Sequence, residues 1–330
     1  MNKSGPLVSV IVGVNRDDGT LVQSIESLLN QTYSGFELII VNDGSSEKVK
    51  KVVENFLDER IVLINSPKIG LTAALNIALK ESNGKYIARH DAGDFSLKHR
   101  IFEQIKFLEN NTSVSMCGTW IKETSSSGVD LGITPFPLTD SEIKNNILYQ
   151  NVFCHGSIMA KKDDLMQLNG YREEFKHSQD YDLWLRLIES FEVANLEKPL
   201  YVRVISPDSI SFVNKEEQKG YADLARDCYR ARKAKIKEPL PGLESINHSS
   251  NTIKNKNRIL SSYKFYCGRR LYSYGNMRLA RKYFFNSLAL FPFALKNVIY
   301  ILITLLPQNL RIFFEKIWLN KKAKYYLRID

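Results

Sequence analysis

What the 330-residue chain lacks removes several large classes at once. Its four cysteines, Cys117, Cys154, Cys228 and Cys267, lie far apart and in no CxxC or zinc-ligand spacing. That pattern suits a reducing compartment and offers neither a disulfide framework nor a zinc site. There is no GxGxxG and no GxxxxGK[ST], which argues against a dinucleotide oxidoreductase and against a P-loop NTPase. The longest uncharged apolar run, Val298 to Leu306, falls well short of the ~20 residues needed to cross a bilayer. The apolar stretch Leu7 to Val14 follows Lys3 and superficially resembles a signal peptide. It is too short, and it runs into Asn15-Arg16-Asp17-Asp18 with no small-residue cleavage site. It reads as a strand.

Acid is scarce in one region only. From Lys254 to the end, sixteen Lys and Arg face only Glu315 and Asp330, a net of +14. The rest, with 30 basic and 34 acidic residues, carries −4. The +10 of the whole chain therefore belongs to the tail. A basic tail points to an anionic surface, lipid or nucleic acid. No nucleic-acid-binding motif accompanies it, so the expected partner is an anionic membrane surface and not nucleic acid. Apolar runs at Phe284 to Phe293, Val298 to Leu306 and Ile312 to Leu319, followed by Lys321, Lys322, Lys324, Tyr325 and Tyr326, suit a membrane interface. The plain alternative is a helical appendage that packs on the rest of the chain or on a partner subunit.

The first hundred residues alternate between two periods. Val8 to Val12, Phe36 to Val41, Arg60 to Asn65 and Tyr86 to Ala88 read as buried strands. Between them, Leu21, Ile25, Leu28 and Leu29, then Val49, Val52, Val53 and Phe56, then Leu71, Leu75, Ala78 and Leu79 recur at helical spacing. Ser45 or Ser46 can cap the second helix. This βαβαβαβ order predicts a mostly parallel sheet with helices on both faces. Ligands of such sheets bind beyond the carboxyl ends of the strands. Those ends carry Asn15, Asp43 and Asp91.

The densest acidic signal is Asp91-Ala92-Gly93-Asp94, directly after a strand. Carboxylates there can hold a hard cation that in turn holds phosphate oxygens. The bland reading is an acidic turn that caps a helix from Leu97 to Leu108. Beyond it the pattern changes. Ser125 to Gly128 reads as a hairpin turn, and Thr139-Asp140 as the cap of a helix from Ser141 to Tyr149. Asn151 to Met159 reads as a strand, and Leu183, Leu187 and Ile188 as one face of a helix with Asp180 at its N-terminal end. A carboxylate there is favoured by the helix dipole, so the plain reading of Asp180 is a cap. Tyr263 to Leu290 reads as two helices around Gly275-Asn276. His90, His155 and His177 sit near these segments, and packing is their simplest use. Trp184 reads as core, and Arg186 as structural.

Val8 to Val12, Ser24 to Tyr33, Glu37 to Ser45, Gly84 to Asp94 and Gln179 to Leu187, in that order and spacing, resemble the family 2 glycosyltransferases of the GT-A fold. The resemblance covers roughly residues 6 to 213. It implies a GT-A α/β fold, Rossmann-like, with a C-terminal helical appendage. Residues 1–110 would form the nucleotide-sugar-binding half, 111–215 the acceptor-binding half and 216–330 a basic helical region. It implies inverting transfer from a nucleotide diphosphate sugar, a UDP-sugar foremost, to a glycan or lipid-linked acceptor in bacterial surface polysaccharide assembly. The setting would be cytoplasmic, peripheral on the inner face of the membrane. Asp180 then matches the general base, Asn15, Asp43 and Asp91 the donor site, and Asp91 with Asp94 the ligands of Mn2+ or Mg2+. Three positions depart from the family pattern. Gly93 stands where a second Asp is usual, Gln179 replaces Glu, and Val14-Asn15-Arg16 replaces a Tyr-Asn ending. If metal binding is weakened, Arg89 or Arg100 would neutralise the diphosphate. The competing readings are a degenerate transferase that only binds sugar nucleotides or glycans, and a nucleotidyltransferase.

Overall fold

A computed structural model of the chain describes residues 7–16, 19–45, 47–240 and 255–311. The first half follows the alternation: β1 (Val8–Val14), α1 (Leu21–Leu29), β2 (Phe36–Asp43), α2 (Glu47–Glu54), β3 (Ile61–Ser66), α3 (Leu71–Glu81) and β4 (Tyr86–Arg89). Successive side chains of each strand point to opposite faces, and here both faces are covered. Ile11, Ile39, Val41 and Ile87 pack with Ala74, Leu75 and Ala78 of α3. Val10, Val12, Leu38 and Ile40 pack on the other side with Leu21, Ile25 and Leu28 of α1 and Val49 of α2. This is why the strands read as unbroken apolar runs and not as alternating ones.

The chain continues as β5 (Phe95–Ser96), α4 (Arg100–Asn110), β6 (Val114–Ser125), β7 (Asp130–Thr134), α5 (Asp140–Asn146), β8 (Met159–Lys161) and α6 (Lys162–Gln167). Then follow α7 (Gln179–Ser190), β9 (Glu192–Ile205), α8 (Ile210–Val213), α9 (Lys215–Lys233), α10 (Lys256–Ser273), α11 (Met277–Leu290) and α12 (Leu295–Leu305). The sheet order is β3-β2-β1-β4-β8-β6-β9-β5, with β7 on β6. β1 pairs in parallel with β2 and β4, and β2 with β3. β8 is antiparallel to β4 and β6, and β5 to β9. The parallel half is the one expected; beyond β4 the sheet is mixed. The chain steps outward from β1 to β3 and returns to place β4 on the other side of β1. The strand order therefore reverses between β1 and β4, the point where such sheets open a crevice.

Two segments differ from expectation. Asn151 to Met159 is not a strand: only Met159–Lys161 pairs, and His155–Ser157 is a 3-10 turn. The carbonyl of Cys154 closes the turn by accepting from both the amide and the hydroxyl of Ser157 (2.9 and 3.0 Å). β9, fourteen residues long, was not anticipated, because Glu197-Lys198-Pro199 interrupts its apolar pattern. The cap at Thr139 is present as a reciprocal capping box with Glu142.

The chain divides into two compact units. The first holds the elements up to Ile121, Phe136–Arg203 and the stretch from Glu216. The second comprises Lys122–Pro135, Val204–Lys215 and the helices α10 to α12. It has its own core, including Leu131, Cys267, Leu271, Phe284 and Tyr300. Fully buried Glu123 accepts the Tyr266 hydroxyl on both oxygens and pairs with Arg270 Nε, each at 2.8 Å. α10 and α11 are the helix pair expected around Gly275-Asn276. The candidate cap Ser46 and the tail segment with Lys321, Lys322, Lys324, Tyr325 and Tyr326 lie outside the described residues. Among the described residues no helix is long and apolar enough to cross a membrane.

Candidate active site

The register of β4 on β1 ends at Ile11–Arg89. The chain beyond Arg89 therefore runs out alongside the last residues of β1, and Asp91 emerges at the crevice. Its side chain is 37% exposed, and Oδ1 accepts from Arg89 Nη2 at 2.6 Å. Burial works to raise the Asp91 pKa. The guanidinium of Arg89, with His155, His90 and Arg203 around it, prevails and holds the carboxyl below its ordinary value. Arg89 is itself buried, and its Nε has no hydrogen-bond partner.

Asp94 turns the other way. It is buried, and the Tyr201 hydroxyl donates to its Oδ2 at 2.8 Å. The same hydroxyl accepts from the amide of Asp91 at 3.1 Å, so one phenol ties both ends of the turn. Gly93 between them has φ +91°, a region that strains any side chain. The departure at Gly93 is thus a property of the turn itself. Of these two carboxylates, Asp91 is the exposed one. Among the described residues no three His, Cys, Asp or Glu side chains converge as a cation cage. A single carboxylate still fits Mg2+ chemistry, which commonly uses one or two carboxylates together with substrate phosphates.

His90 is wholly buried between the hydroxyls of Ser24 (2.9 Å) and Ser96 (3.1 Å). Burial first, and then nearby Arg100, push its pKa down to about 3, so it is neutral packing. Arg100 is equally committed. It donates to the Ser96 hydroxyl, the Gln104 amide oxygen and the carbonyls of Arg89 and Ile158, and its guanidinium stacks over the Tyr201 ring. It is a structural post and not a diphosphate ligand.

Asp43 ends β2 and is buried. Its carboxylate accepts the amides of Ile69 (2.6 Å) and Gly70 (3.0 Å), which fixes the entry to α3. Asn15 is exposed at the end of β1. The two stand at the ends of adjacent parallel strands, β1 and β2.

Asp180 lies at the start of α7 and is half-buried. Oδ1 accepts the amide of Tyr181 at 2.8 Å, and Asn151 Nδ2 approaches Oδ2 at 3.3 Å. No described cation pairs with it. Ser178, just before the helix, holds a left-handed conformation (φ 55°) and donates to the carbonyl of Gln218. A non-glycine residue in that region marks a turn held by its surroundings. Gln179, which replaces the usual Glu, is buried. Two residues beyond Asp180, Asp182 is fully buried and paired with both Arg172 and Arg186. Arg186 also donates to the carbonyls of Leu168 and Gly170. Trp184 is core, and His177 bonds Glu217 away from the turn.

His155 and Tyr171 link the two acidic segments. His155 Nε2 and the Tyr171 hydroxyl share a hydrogen bond of 2.9 Å, and the imidazole packs edge-on against Tyr171 and Trp184 of α7. Asp91 and Asp180 both act electrostatically on this pair. Burial and Arg89 outweigh the two carboxylates and lower the His155 pKa to about 4, so the imidazole is neutral at neutral pH. Gly156, next in the chain, backs directly onto the donor side. A Cβ there would stand 2.1 Å from the Tyr201 hydroxyl and 2.9 Å from Asp91 Oδ2. The His155-Gly156 turn thus touches α7 with one residue and the Asp91 turn with the next. The positioning roles of Gly156, Tyr171 and Tyr201 were missed in the sequence; a glycine beside a lone histidine was the only signal.

A parallel half-sheet whose order reverses between β1 and β4, continued by a mixed half, is the architecture of the GT-A fold. The comparisons with known proteins agree. The chain belongs to glycosyl transferase family 2, whose sequence pattern matches residues 9–168. It is 35% identical over 206 residues to the putative glycosyltransferase EpsE of Bacillus subtilis (strain 168), covering 60% of this chain and 73% of that one. It is 36% identical over 185 residues to the O-antigen biosynthesis glycosyltransferase WbnJ of Escherichia coli, covering 55% and 72%. In fold it is similar to the mannosyltransferase PcManGT from Pyrobaculum calidifontis, solved in complex with GDP-Man and Mn2+. That match has a TM-score of 0.53 at 12% identity and covers 96% of this chain and 88% of the other.

Proposed function

We propose that the chain transfers a hexosyl group from a nucleotide diphosphate sugar to an acceptor hydroxyl with inversion. A UDP-sugar is the foremost donor and a glycan or lipid-linked glycan the acceptor, in assembly of bacterial surface polysaccharide. The observation that carries this reading is that the His155-Gly156 turn packs on Trp184 of α7, the helix that Asp180 opens, and lies directly against Asp91, about ninety residues earlier in the chain. In inverting displacement the acceptor oxygen bonds to the anomeric carbon as the carbon–phosphate oxygen bond breaks. The hydroxyl proton passes to a base and the nucleoside diphosphate leaves as an anion. Asp180 is that base: it is fixed by its own helix and unpaired with any described cation. Asp91 serves the diphosphate end, and Asn15 and Asp43 the nucleoside end. Mn2+ or Mg2+ held on Asp91, when bound, offsets the charge developing on the leaving group. Asp94 supports that site from behind through Tyr201. His155, neutral at working pH, orients the groups between the two carboxylates and does not itself donate a proton. The enzyme works in the cytoplasm, peripherally on the inner face of the membrane.

The test is to incubate the purified protein with a panel of nucleotide sugars and Mn2+ and identify what is released. Slow formation of nucleoside diphosphate is expected. Pyrophosphate would mean a nucleotidyltransferase. No release from a protein that still binds a sugar nucleotide would mean a binding module.

A further inference from the structure

α12 carries apolar residues on its outer side as well as on its inner one. Its inner side, facing the core of the second unit, holds Asn297, Tyr300, Ile301, Ile303 and Thr304. Its outer side holds Leu295, Val298, Leu302 and Leu305, spaced three, four and three residues apart and so aligned in one stripe. Leu295 is 74% exposed, Leu302 58% and Leu305 59%; Phe293, just before the helix, is 84% exposed. The single charge on the helix is Lys296. Scattered exposed leucines need no explanation, but a continuous stripe marks a contact surface.

The charge around the stripe identifies the contact. Residues 255 to 311 contain ten Lys and Arg and no Asp or Glu. A second copy would bring the α12 helix, whose one charge is Lys296, against itself, with no carboxylate on that helix to meet it. Nucleic acid would meet the cations but leave the leucines in water. An anionic bilayer satisfies both at once, with hydrocarbon under the leucines and headgroup charge around the cations.

We propose that the outer face of α12, with Phe293 at its leading end, seats the protein in the interface of an anionic lipid bilayer. The peripheral placement proposed above thereby gains a defined surface. Transfer chemistry plays no part in it, so an inactive protein would still dock.

The test is flotation of the full-length protein with phosphatidylglycerol–phosphatidylcholine vesicles and with phosphatidylcholine alone, at low and high salt. It compares the natural chain with the double variant Leu302→Glu/Leu305→Glu and the milder Leu302→Ser/Leu305→Ser. The natural chain is expected to float with the anionic vesicles and to be weakened by salt. The Glu pair should partition at least tenfold less and the Ser pair fall between. Both variants should keep the parent melting temperature and the shift induced by nucleotide sugars, which separates loss of docking from loss of donor binding. Three results would overturn the assignment. The natural chain could remain at the bottom with anionic vesicles at low salt, or both variants could float as well as the parent. In the third, the Glu pair could lower the melting temperature sharply or split a dimer seen by light scattering. That would mean the stripe is covered by the chain's own residues or by a second copy.

Discussion

Two acidic segments, one after β4 and one at the start of α7, each divide their carboxylates between solvent and interior. Asp91 looks outward while Asp94 is buried; Asp180 looks outward while Asp182 is buried. In the first turn Arg89 pairs with the outward carboxylate, and the inward one accepts the Tyr201 hydroxyl. At α7, Arg172 and Arg186 pair with the inward carboxylate and leave the outward one to an amide and a side-chain carboxamide. Spacing within a motif therefore does not say which carboxylate does chemistry. The position of the neighbouring guanidinium does. A carboxylate paired with arginine is held ionised and suits an electrostatic task, whereas one without a cation remains available to take a proton.

The contrast can be broken most sharply at its buried members. Asp182→Ala leaves Arg172 and Arg186 without their shared partner inside the fold, and removing one side of a buried pair costs about 3–5 kcal/mol. Urea unfolding should show a loss of that order, whereas Asp180→Asn should leave the midpoint nearly unchanged. Equal losses would mean Asp180 is as structural as Asp182. On the donor side the group removed is one neutral hydroxyl, so the loss should be smaller. Tyr201→Phe removes a hydroxyl that donates to Asp94 and accepts from the Asp91 amide, at about 1–3 kcal/mol. It should also weaken the stabilisation by nucleotide sugar, measured as a thermal shift.

Gly156→Ala sharpens the link between the two turns. Its methyl would collide with the Tyr201 hydroxyl and Asp91. Overpacking of this kind costs about 1–3 kcal/mol, and donor affinity should fall more than acceptor affinity. A variant with normal donor titrations would show that the turn at His155 does not set the position of Asp91.

The mildest probe is pH. His90 and His155 have folded pKa values lowered from 6.5 to about 3 and about 4. Both are neutral in the folded state, while the unfolded chain protonates them near 6.5. Their contribution is whole above pH 6.5 and is lost as pH falls toward 4. The slope approaches about 1.4 kcal/mol per pH unit for each histidine. Unfolding midpoints between pH 7 and 4 should follow this trend, and His155→Gln should flatten it. An unchanged slope would contradict the neutral assignment of His155.

The parallel half of the sheet was legible because β1, β2 and β4 are buried on both faces and its helices on one, which writes two clean periods into the sequence. β9 was not, since Glu197-Lys198-Pro199 breaks the apolar pattern of a strand whose register comes from its neighbours. The stretch from Asn151 read as a strand because its residue types favour one. What bends it is a tertiary contact, the close approach of Gly156 to Tyr201, and no local signal announces that. The same limit applies to the site. Asp91 and Asp180 stood out by their places at a strand end and a helix start. The inward turn of Asp94 depends on Tyr201, more than a hundred residues away.

The central claim, that Asp180 takes the proton while Asp91 serves the donor, is tested most directly by measuring two quantities on two variants. For Asp180→Asn and Asp91→Asn, the thermal shift induced by the preferred nucleotide sugar with Mn2+ is recorded beside the rate of sugar transfer. Asp180→Asn should keep the shift and lose transfer by roughly 10²-fold or more, the contribution expected of a general base. Asp91→Asn should lose the shift itself. Near-normal transfer by Asp180→Asn, or the same pattern in both variants, would contradict the division of labour between the two carboxylates.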